Sequence, residues 1–363
     1  MAQHDSRHRG TSLSKRLLYA SVIGITLFGV GYAVYESGSI SRIYQAIGGK
    51  VDEIPPQAVY SRAEMEAARK NHKADFLGER PRVPVGADGY YIPPSEADIP
   101  DGPQGDAIRR GRDIFLDTGT YVKDHVGNQM ACVNCHLDAG RRENSAPMWA
   151  AYGAYPAYRS KTKSISTLED RIMGCFTYSM NAQGSPSGVP PEAGSDVYRD
   201  VITYMAWLAN GAPAGEKLPG ALYPKVPKPA DGYDIQRGMA VYQQNCALCH
   251  GANGQGTTNA EGDVRFPPLW GAESYNWGAG MARINTAAGF IKANMPFGKP
   301  YSLTDQEAWD VAAYINSHER PKDPRQTGTV AEAAQTFHAG DEIFYGKTID
   351  GHLLGTGVER SRQ

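Results

Sequence analysis

Two short stretches decide how this chain folds: Cys132-Val-Asn-Cys135-His136 and Cys246-Ala-Leu-Cys249-His250. Cys-x-x-Cys-His is the attachment motif of c-type haem, in which two thiols bind the haem and the histidine coordinates its iron. A zinc ribbon would place its cysteine pairs roughly 15–20 residues apart, whereas these pairs begin 114 residues apart and each has its own histidine. The sequence therefore predicts two covalently bound haem c groups, attached through Cys132, Cys135, Cys246 and Cys249 and ligated by His136 and His250.

The composition bounds the class of protein around these motifs. A chain of 363 residues suits two or three domains, and its 41 glycines and 24 prolines favour a loop-rich protein with little sheet. The net charge of -2 provides no basic excess that would neutralise phosphates. We therefore expect a mainly α protein that does not bind nucleic acid.

The N-terminal region resembles a membrane anchor. Residues 17–35 carry no charge and follow Arg7, Arg9, Lys15 and Arg16. A stretch of this length can cross the apolar core of a bilayer, and the basic flank places the N-terminus in the cytoplasm. The alternative is a cleaved signal peptide, which has a shorter apolar core and a small-residue cleavage site. Either segment would deliver the rest of the chain across the cytoplasmic membrane, and we favour the retained anchor.

An internal repeat surrounds the two haem motifs. Gly111 lies four residues before Phe115, Gly238 lies four residues before Tyr242, and each pair precedes one motif. Each repeat ends in an apolar stripe at helical spacing, and the reused glycine indicates a close helix crossing. This pattern predicts two tandem cytochrome c-like domains joined by a Pro-rich linker and preceded by a transmembrane helix and a stalk. The predicted segments are a cytoplasmic basic segment 1–16, the anchor 17–35, a Pro-rich stalk 36–100, the first haem domain 101–211, the linker 212–232, the second haem domain 233–322 and a tail 323–363, read as surface wrap or disorder without an assigned function.

The second haem needs a ligand on the other face of its iron. Met295 precedes a proline and lies ten residues before the closing helix predicted at Asp305. A methionine ligand raises the reduction potential of a haem relative to a second histidine. Met281 and Lys292 are the rival ligands, and we favour Met295.

Four sulfur side chains could complete the first haem: Met148, Met173, Cys175 and Met180. Cys175 is the one cysteine that haem attachment does not use, and its thiolate would make the iron harder to reduce. The sequence Ser166-Thr-Leu-Glu169 has the form of a capping box and predicts a helix running through Met180. On that helix, Arg171, Cys175 and Ser179 recur every four residues and share one face. A buried structural cysteine beside a surface arginine is the plain alternative.

These residues resemble the thiosulfate dehydrogenase/tetrathionate reductase family of dihaem c-type cytochromes. The likeness covers residues 105–320 and is most specific in Thr167-Leu-Glu-Asp-Arg-Ile-Met-Gly-Cys-Phe-Thr-Tyr-Ser-Met-Asn181. The resemblance implies His136 and Cys175 as axial ligands of a catalytic haem, and His250 and Met295 as ligands of an electron-relay haem. It also implies catalytic roles for Cys175, Arg171 and Ser179. From the upstream cations Arg159, Lys161 and Lys163, it carries over Lys161.

The implied reaction is oxidation of two thiosulfates to tetrathionate, or its reverse, with electrons passing from the first haem to the second and on to a soluble cytochrome c or another acceptor. Some family members have a lysine before the methionine ligand and exchange the two; here that residue is Asn294. With the anchor, the resemblance places the enzyme on the periplasmic side of a bacterial inner membrane. Two other functions stay open at this point: a membrane-tethered dihaem electron carrier without a substrate of its own, and an enzyme acting on another sulfur anion.

Overall fold

Each haem motif lies between two long helices in the computed structural model, which describes residues 83–159, 161–340 and 342–360. The predicted mainly helical fold is confirmed for this part of the chain. The elements of the first domain are the helices Pro103–Leu116 (α1), Thr118–Tyr121 (α2), Leu137–Gly140 (α3), Met148–Tyr152 (α4), Leu168–Gly174 (α5) and Asp196–Leu208 (α6), and the antiparallel strands Ala157–Arg159 (β1) and Ser164–Ser166 (β2).

The second domain repeats this plan and is followed by a folded C-terminal segment. The elements of the second domain are the helices Ile235–Asn245 (α7), Ala247–His250 (α8), Ile284–Asn294 (α9) and Asp305–Asn316 (α10), and the paired strands Thr257–Thr258 (β3) and Val264–Phe266 (β4). The C-terminal segment contains the helix Val330–Phe337 (α11) and the paired strands Thr348–Ile349 (β5) and His352–Leu353 (β6).

The first and last helices of each domain cross at the predicted glycine. A Cβ atom on Gly111 of α1 would lie 2.1 Å from the carbonyl oxygen of Asp200 in α6. A Cβ atom on Gly238 of α7 would lie 2.0 Å from the carbonyl oxygen of Asp310 in α10. Both distances are far below van der Waals contact, so only glycine permits these crossings.

The same two aspartates receive an arginine from the facing helix. Arg110 Nε lies 2.7 Å from the Asp200 carboxylate, and Arg237 Nε lies 2.7 Å from the Asp310 carboxylate. Both aspartates are buried, and each accepts a second guanidinium bond. A buried carboxylate needs a partner of this kind, so the repeat includes the charge pair as well as the glycine.

The helix that carries Cys175 begins one residue later than the sequence predicts. Thr167, not Ser166, caps α5, and its hydroxyl accepts a hydrogen bond from the Asp170 amide while the Asp170 carboxylate accepts one from the Thr167 amide. Ser166 is instead the last residue of β2. The helix is also not uniform, because α5 ends at Gly174 and continues as a π-helical turn, Cys175–Ser179.

Two segments predicted to stand apart from the haem domains pack against them. Residues 83–100, assigned to the stalk, place Tyr91 in the first domain, where its hydroxyl donates to the carbonyls of Leu208 and Asn210. The tail is folded, with Ile343, Phe344 and Leu354 buried in the core. The Ile284 amide of the second domain donates a hydrogen bond of 2.8 Å to the Glu342 carbonyl of the tail, and this bond attaches the tail to that domain.

The described helices include none that is both long enough and apolar enough to cross a membrane. The anchor predicted at residues 17–35 lies outside the described residues, as do the basic segment 1–16 and the stalk up to residue 82.

Candidate active site

The first haem motif opens into a cavity of about 1020 Å³. The wall of the cavity is formed by the first haem motif, helix α5, the hairpin of β1 and β2, and the linker between the domains. The side chains that bear on the chemistry are Cys132, Cys135, His136, Arg159, Lys161, Arg171, Cys175, Ser179 and Tyr223. The structure thus brings together all the residues that the sequence predicted for the first site.

His136 is held so that one ring nitrogen remains for a metal. Its Nδ1 lies 2.7 Å from the carbonyl oxygen of Ala146. Asn144 and Ala146 adopt left-handed backbone conformations, with φ of 57° and 48°, and these turn the loop towards the ring. Because Nδ1 donates to the carbonyl, Nε2 is the nitrogen that would coordinate a metal, as in other metal-binding histidines.

Cys175 faces His136 across the cavity. The His136 ring lowers the pKa of the Cys175 thiol, and Arg171 Nη1 lies 3.0 Å from its sulfur. The rival sulfurs differ in position: Met148 and Met180 line the cavity, whereas Met173 packs against the core. Cys175 is the sulfur that both His136 and an arginine approach.

Cys175 differs from the attachment cysteines Cys132 and Cys135 in the direction in which its surroundings shift the pKa of its thiol. Burial alone would raise the pKa of Cys175, but the Arg171 guanidinium and the His136 ring lower this pKa to about 6. Burial raises the pKa of Cys132 and of Cys135 to about 12. The ordering of these pKa values favours a thiolate at Cys175 and neutral thiols at Cys132 and Cys135.

Ser179 and Lys161 complete the polar part of the wall. Ser179 ends the π-helical turn that begins at Cys175, and its carbonyl accepts a hydrogen bond of 2.7 Å from Asn128. Lys161 is exposed as a residue, but its ammonium donates to the Gly278 carbonyl and lies 3.6 Å from the centre of the Tyr178 ring. Partial burial of the ammonium and repulsion from Arg325 and Arg171 lower the pKa of Lys161 to about 7.

The second haem motif has the same histidine geometry. His250 Nδ1 lies 2.9 Å from the carbonyl oxygen of Pro267, so Nε2 is the nitrogen that would coordinate a metal. Burial lowers the pKa of His250, so its ring stays neutral as a metal ligand must be.

Met295 follows directly after α9, and its side chain packs against the core as a half-buried group. Met281 is also half-buried, in the short turn Gly280–Ala282. Lys292 is engaged elsewhere, because its ammonium lies 2.9 Å from the Asp305 carboxylate and 2.6 Å from the Leu303 carbonyl. Met295 remains the predicted ligand.

The donor sets fit haem c at both sites. Each has two cysteines and a histidine whose Nε2 is available, and the first adds the Cys175 sulfur and a cavity, while Met295 is the predicted further ligand of the second. A thiolate or a thioether is a known axial ligand of haem iron. The residues that would hold the first haem are Cys132, Cys135, His136 and Cys175, and those for the second are Cys246, Cys249, His250 and Met295.

Tyr223 is a site residue that sequence reasoning missed. It belongs to the Pro-rich linker, yet its hydroxyl donates to the Cys135 carbonyl over 3.0 Å and its ring packs edge-on against Phe290. Asn294 makes a second connection, from its amide to the Asn144 carbonyl in the loop that positions His136. Both contacts join segments that are distant in sequence, so no local sequence pattern predicts them.

Two family models match the chain, one at each haem motif. The SoxA/TsdA cytochrome c domain matches residues 119–213, and the cytochrome c family matches residues 235–319. Each match contains one Cys-x-x-Cys-His motif, and this confirms the prediction of two covalently bound haem c groups.

Curated relatives match both domains together. A thiosulfate dehydrogenase of Stutzerimonas stutzeri is 51% identical over 274 residues, covering 75% of this chain and 87% of the relative. A thiosulfate dehydrogenase of Thiomonas intermedia is 49% identical, covering 75% of this chain and 84% of the relative. One from Allochromatium vinosum is 42% identical, covering 65% of this chain and 86% of the relative.

A solved structure has the same fold. The thiosulfate dehydrogenase (TsdBA) of Marichromatium purpuratum superposes with a TM-score of 0.73 at 48% identity and covers 81% of this chain. This chain spans 65% of the length of that chain.

Proposed function

Because the chain belongs to the thiosulfate dehydrogenase family of dihaem c-type cytochromes, we propose that it oxidises two thiosulfates to tetrathionate at the first haem site. The enzyme class follows from the family, and the family match counts against the substrate-free electron carrier. The observation that carries the proposal is the Cys175 thiolate, which lies 3.0 Å from the Arg171 guanidinium in a cavity lined by further cations.

The residues of the cavity can gather and neutralise two dianions. Thiosulfate dianions repel each other, and fixed cations in a partly enclosed site offset that repulsion. Arg171 and Lys161 would face the sulfonate groups, and Ser179 would donate a hydrogen bond. The same cations would also stabilise the charge on Cys175 sulfur between turnovers.

Cys175 sulfur would couple oxidatively to the sulfane sulfur of thiosulfate. A bond forms between Cys175 sulfur and the terminal sulfur of one thiosulfate, and this step releases two electrons. The terminal sulfur of a second thiosulfate then attacks the former sulfane sulfur, which is now bonded to Cys175, and the Cys175–sulfur bond breaks. Tetrathionate leaves, and Cys175 returns as a thiolate, so sulfur and charge balance. When bound, the two haems would supply one-electron acceptor chemistry and relay to an external acceptor such as a soluble cytochrome c.

The same steps run backwards if electrons are supplied, so we propose that the reaction is reversible. The predicted anchor at 17–35 supports a location on the periplasmic side of the bacterial inner membrane, tethered through that helix. Covalent haem attachment in this family of cytochromes agrees with an extracytoplasmic site.

A thiosulfate-dependent reduction assay tests the function. Purified holoprotein is mixed with thiosulfate and ferricyanide, and tetrathionate is measured by chromatography. We expect one tetrathionate for each two thiosulfates consumed and each two ferricyanide ions reduced. Sulfite and trithionate tested in the same assay decide between thiosulfate and another sulfur anion. Reduction that proceeds with one of these ions and not with thiosulfate would reassign the substrate.

A further inference from the structure

The C-terminal segment, to which the sequence assigned no function, reaches the helix that carries Cys175. Its first turn holds Asp323 and Arg325, and the Arg325 guanidinium lies 5.2 Å from the centre of the Tyr178 ring and 4.5 Å from that of Phe337. Tyr178 belongs to the π-helical turn between Cys175 and Ser179. The segment therefore contacts the turn that runs from Cys175 to Ser179.

Arg325 is fixed in this position by a fully buried carboxylate. Asp323 has no exposed surface and accepts from Arg325 Nε at 3.0 Å and from Arg325 Nη2 at 2.6 Å. It also accepts from His338 Nε2 at 2.8 Å. Burial alone would raise the pKa of Asp323, but the bonds from His338 and Arg325 hold this pKa well below its ordinary value. Asp323 is thus ionised, and the guanidinium is held in a fixed orientation.

The Tyr178 ring connects Arg325 to the cavity. The Lys161 ammonium lies 3.6 Å from the centre of the same ring, and Lys161 lines the cavity. Gly278 packs closely against the ring, since a Cβ atom at that position would lie only 2.3 Å from Tyr178 Cδ1. The Tyr178 carbonyl also accepts a hydrogen bond from the backbone amide of Asn276, so the residue is held in place. An ammonium and a guanidinium that share one aromatic ring both gain from its negative face.

We propose that Arg325 is a positioning residue for the anion site, and that it holds the Tyr178 ring and thereby places the Lys161 ammonium at the cavity wall. Its charge adds to the positive field of Lys161 and Arg171, which favours a dianion over a monoanion. The proposal rests on the proposed function, because it takes thiosulfate as the anion that Lys161 meets.

Steady-state kinetics of Arg325→Gln and Arg325→Lys in the holoprotein test the proposal. The assay is run at about pH 6, below the pKa of Lys161, so that its ammonium is charged in every variant. For Arg325→Gln we expect KM for thiosulfate to rise by about fivefold or more with kcat within about twofold, the range of a partly desolvated cation–π contact. Arg325→Lys should bring KM back to within about twofold of the native value.

A double-mutant cycle tests whether Arg325 affects KM by positioning Lys161 or by a general effect on the structure. Because Arg325 acts through Lys161, Arg325→Gln should change KM by less than about twofold when Lys161 is already glutamine. Tyr178→Leu, which removes the shared ring, should raise KM as Arg325→Gln does. The matched control is Arg360→Gln in the same C-terminal segment, where Arg360 pairs with Glu273 over 2.6 Å; it should leave KM unchanged.

Three results would overturn the proposal. The first is an unchanged KM in Arg325→Gln, and the second is an equal rise of KM in Arg360→Gln. The third is a double variant in which the effects of Arg325→Gln and Lys161→Gln on KM simply multiply. A native enzyme without thiosulfate turnover would instead contradict the proposed function. In that case the Kd of thiosulfate for the oxidised holoprotein, measured by calorimetry, replaces KM in the same comparisons and decides the role of Arg325.

Discussion

The Arg171 guanidinium and the His136 imidazole decide the ionisation of the Cys175 thiol. Burial opposes a charged sulfur, but Arg171 and His136 outweigh that effect and lower the pKa of Cys175 to about 6. A thiolate is both the stronger metal ligand and the nucleophilic form of cysteine. One arginine therefore serves both roles proposed for this sulfur.

Lys161 makes thiosulfate binding depend on pH. Its pKa is lowered to about 7 by partial burial of the ammonium and by the neighbouring guanidinium groups. The residue is charged below that pH and neutral above it, so KM for thiosulfate should rise as pH increases through about 7. Initial rates measured across this range provide the check. Lys161→Arg, which keeps its charge, should flatten the profile, and a native profile that is flat would contradict the assignment.

Met295 is the predicted sulfur ligand of the second haem. Met295→Ala should remove the weak near-infrared iron–thioether absorption and lower one of the two reduction potentials, because a thioether ligand favours the reduced iron. Absorption spectroscopy and a redox titration of the holoprotein measure both effects. If the band persists in Met295→Ala and disappears in Met281→Ala, Met281 is the ligand.

At the scale of helices, each haem domain depends on a crossing that excludes every side chain. In both domains a Cβ atom on the crossing glycine would overlap a carbonyl oxygen of the partner helix. The clash involves backbone and cannot be relieved by a rotamer change. The paired helices also hold the arginine–aspartate contacts that flank the crossing.

Gly111→Ala and Gly238→Ala should each destabilise the protein by about 1–3 kcal/mol or more, the usual cost of overpacking. Thermal unfolding of the holoprotein measures the loss. Gly119→Ala is the matched control, since a Cβ atom at Gly119 in α2 would meet no atom within 4 Å. Equal melting temperatures for Gly111→Ala and Gly119→Ala would contradict the account of the crossing.

The sequence predicted those features that depend on local spacing. The haem motifs, the repeated glycine and the face shared by Arg171, Cys175 and Ser179 could all be identified by counting residues. The cap of α5 was misplaced by one residue because Ser166 and Thr167 are both good caps and pairing within the hairpin takes Ser166. Arg325 and Tyr223 could not be identified, because the contacts that link them to the first site, with Tyr178 and Cys135, each span more than 80 residues of sequence.

At the scale of the whole molecule, the linker and the C-terminal segment complete the first site. Tyr223 of the linker bonds the backbone of Cys135, and Asn294 of the second domain bonds the loop that positions His136. Segments predicted as a spacer and a tail thus contribute to one catalytic unit. These contacts agree with the single compact unit that contains both haem motifs.

The sequence of the N-terminal region predicts that the protein is attached to a membrane. If residues 17–35 are a retained helix, membrane fractions should keep the haem-staining protein after a high-salt wash, because apolar insertion does not depend on ionic strength. Deletion of residues 1–35, with a cleavable export signal in their place, should release the protein. A mature N-terminus mapped near residue 36 in the native protein would show that the segment is a cleaved signal.

Turnover by Cys175→Met tests the central claim most directly. Methionine can ligate the first haem in place of cysteine, so both haems should be incorporated and six-coordinate, but its thioether cannot form the sulfur–sulfur bond with thiosulfate. The account predicts that thiosulfate oxidation falls by about a thousandfold or more, the scale expected when a covalent participant is removed. Near-native turnover in this variant would show that Cys175 is only a ligand and would contradict the mechanism.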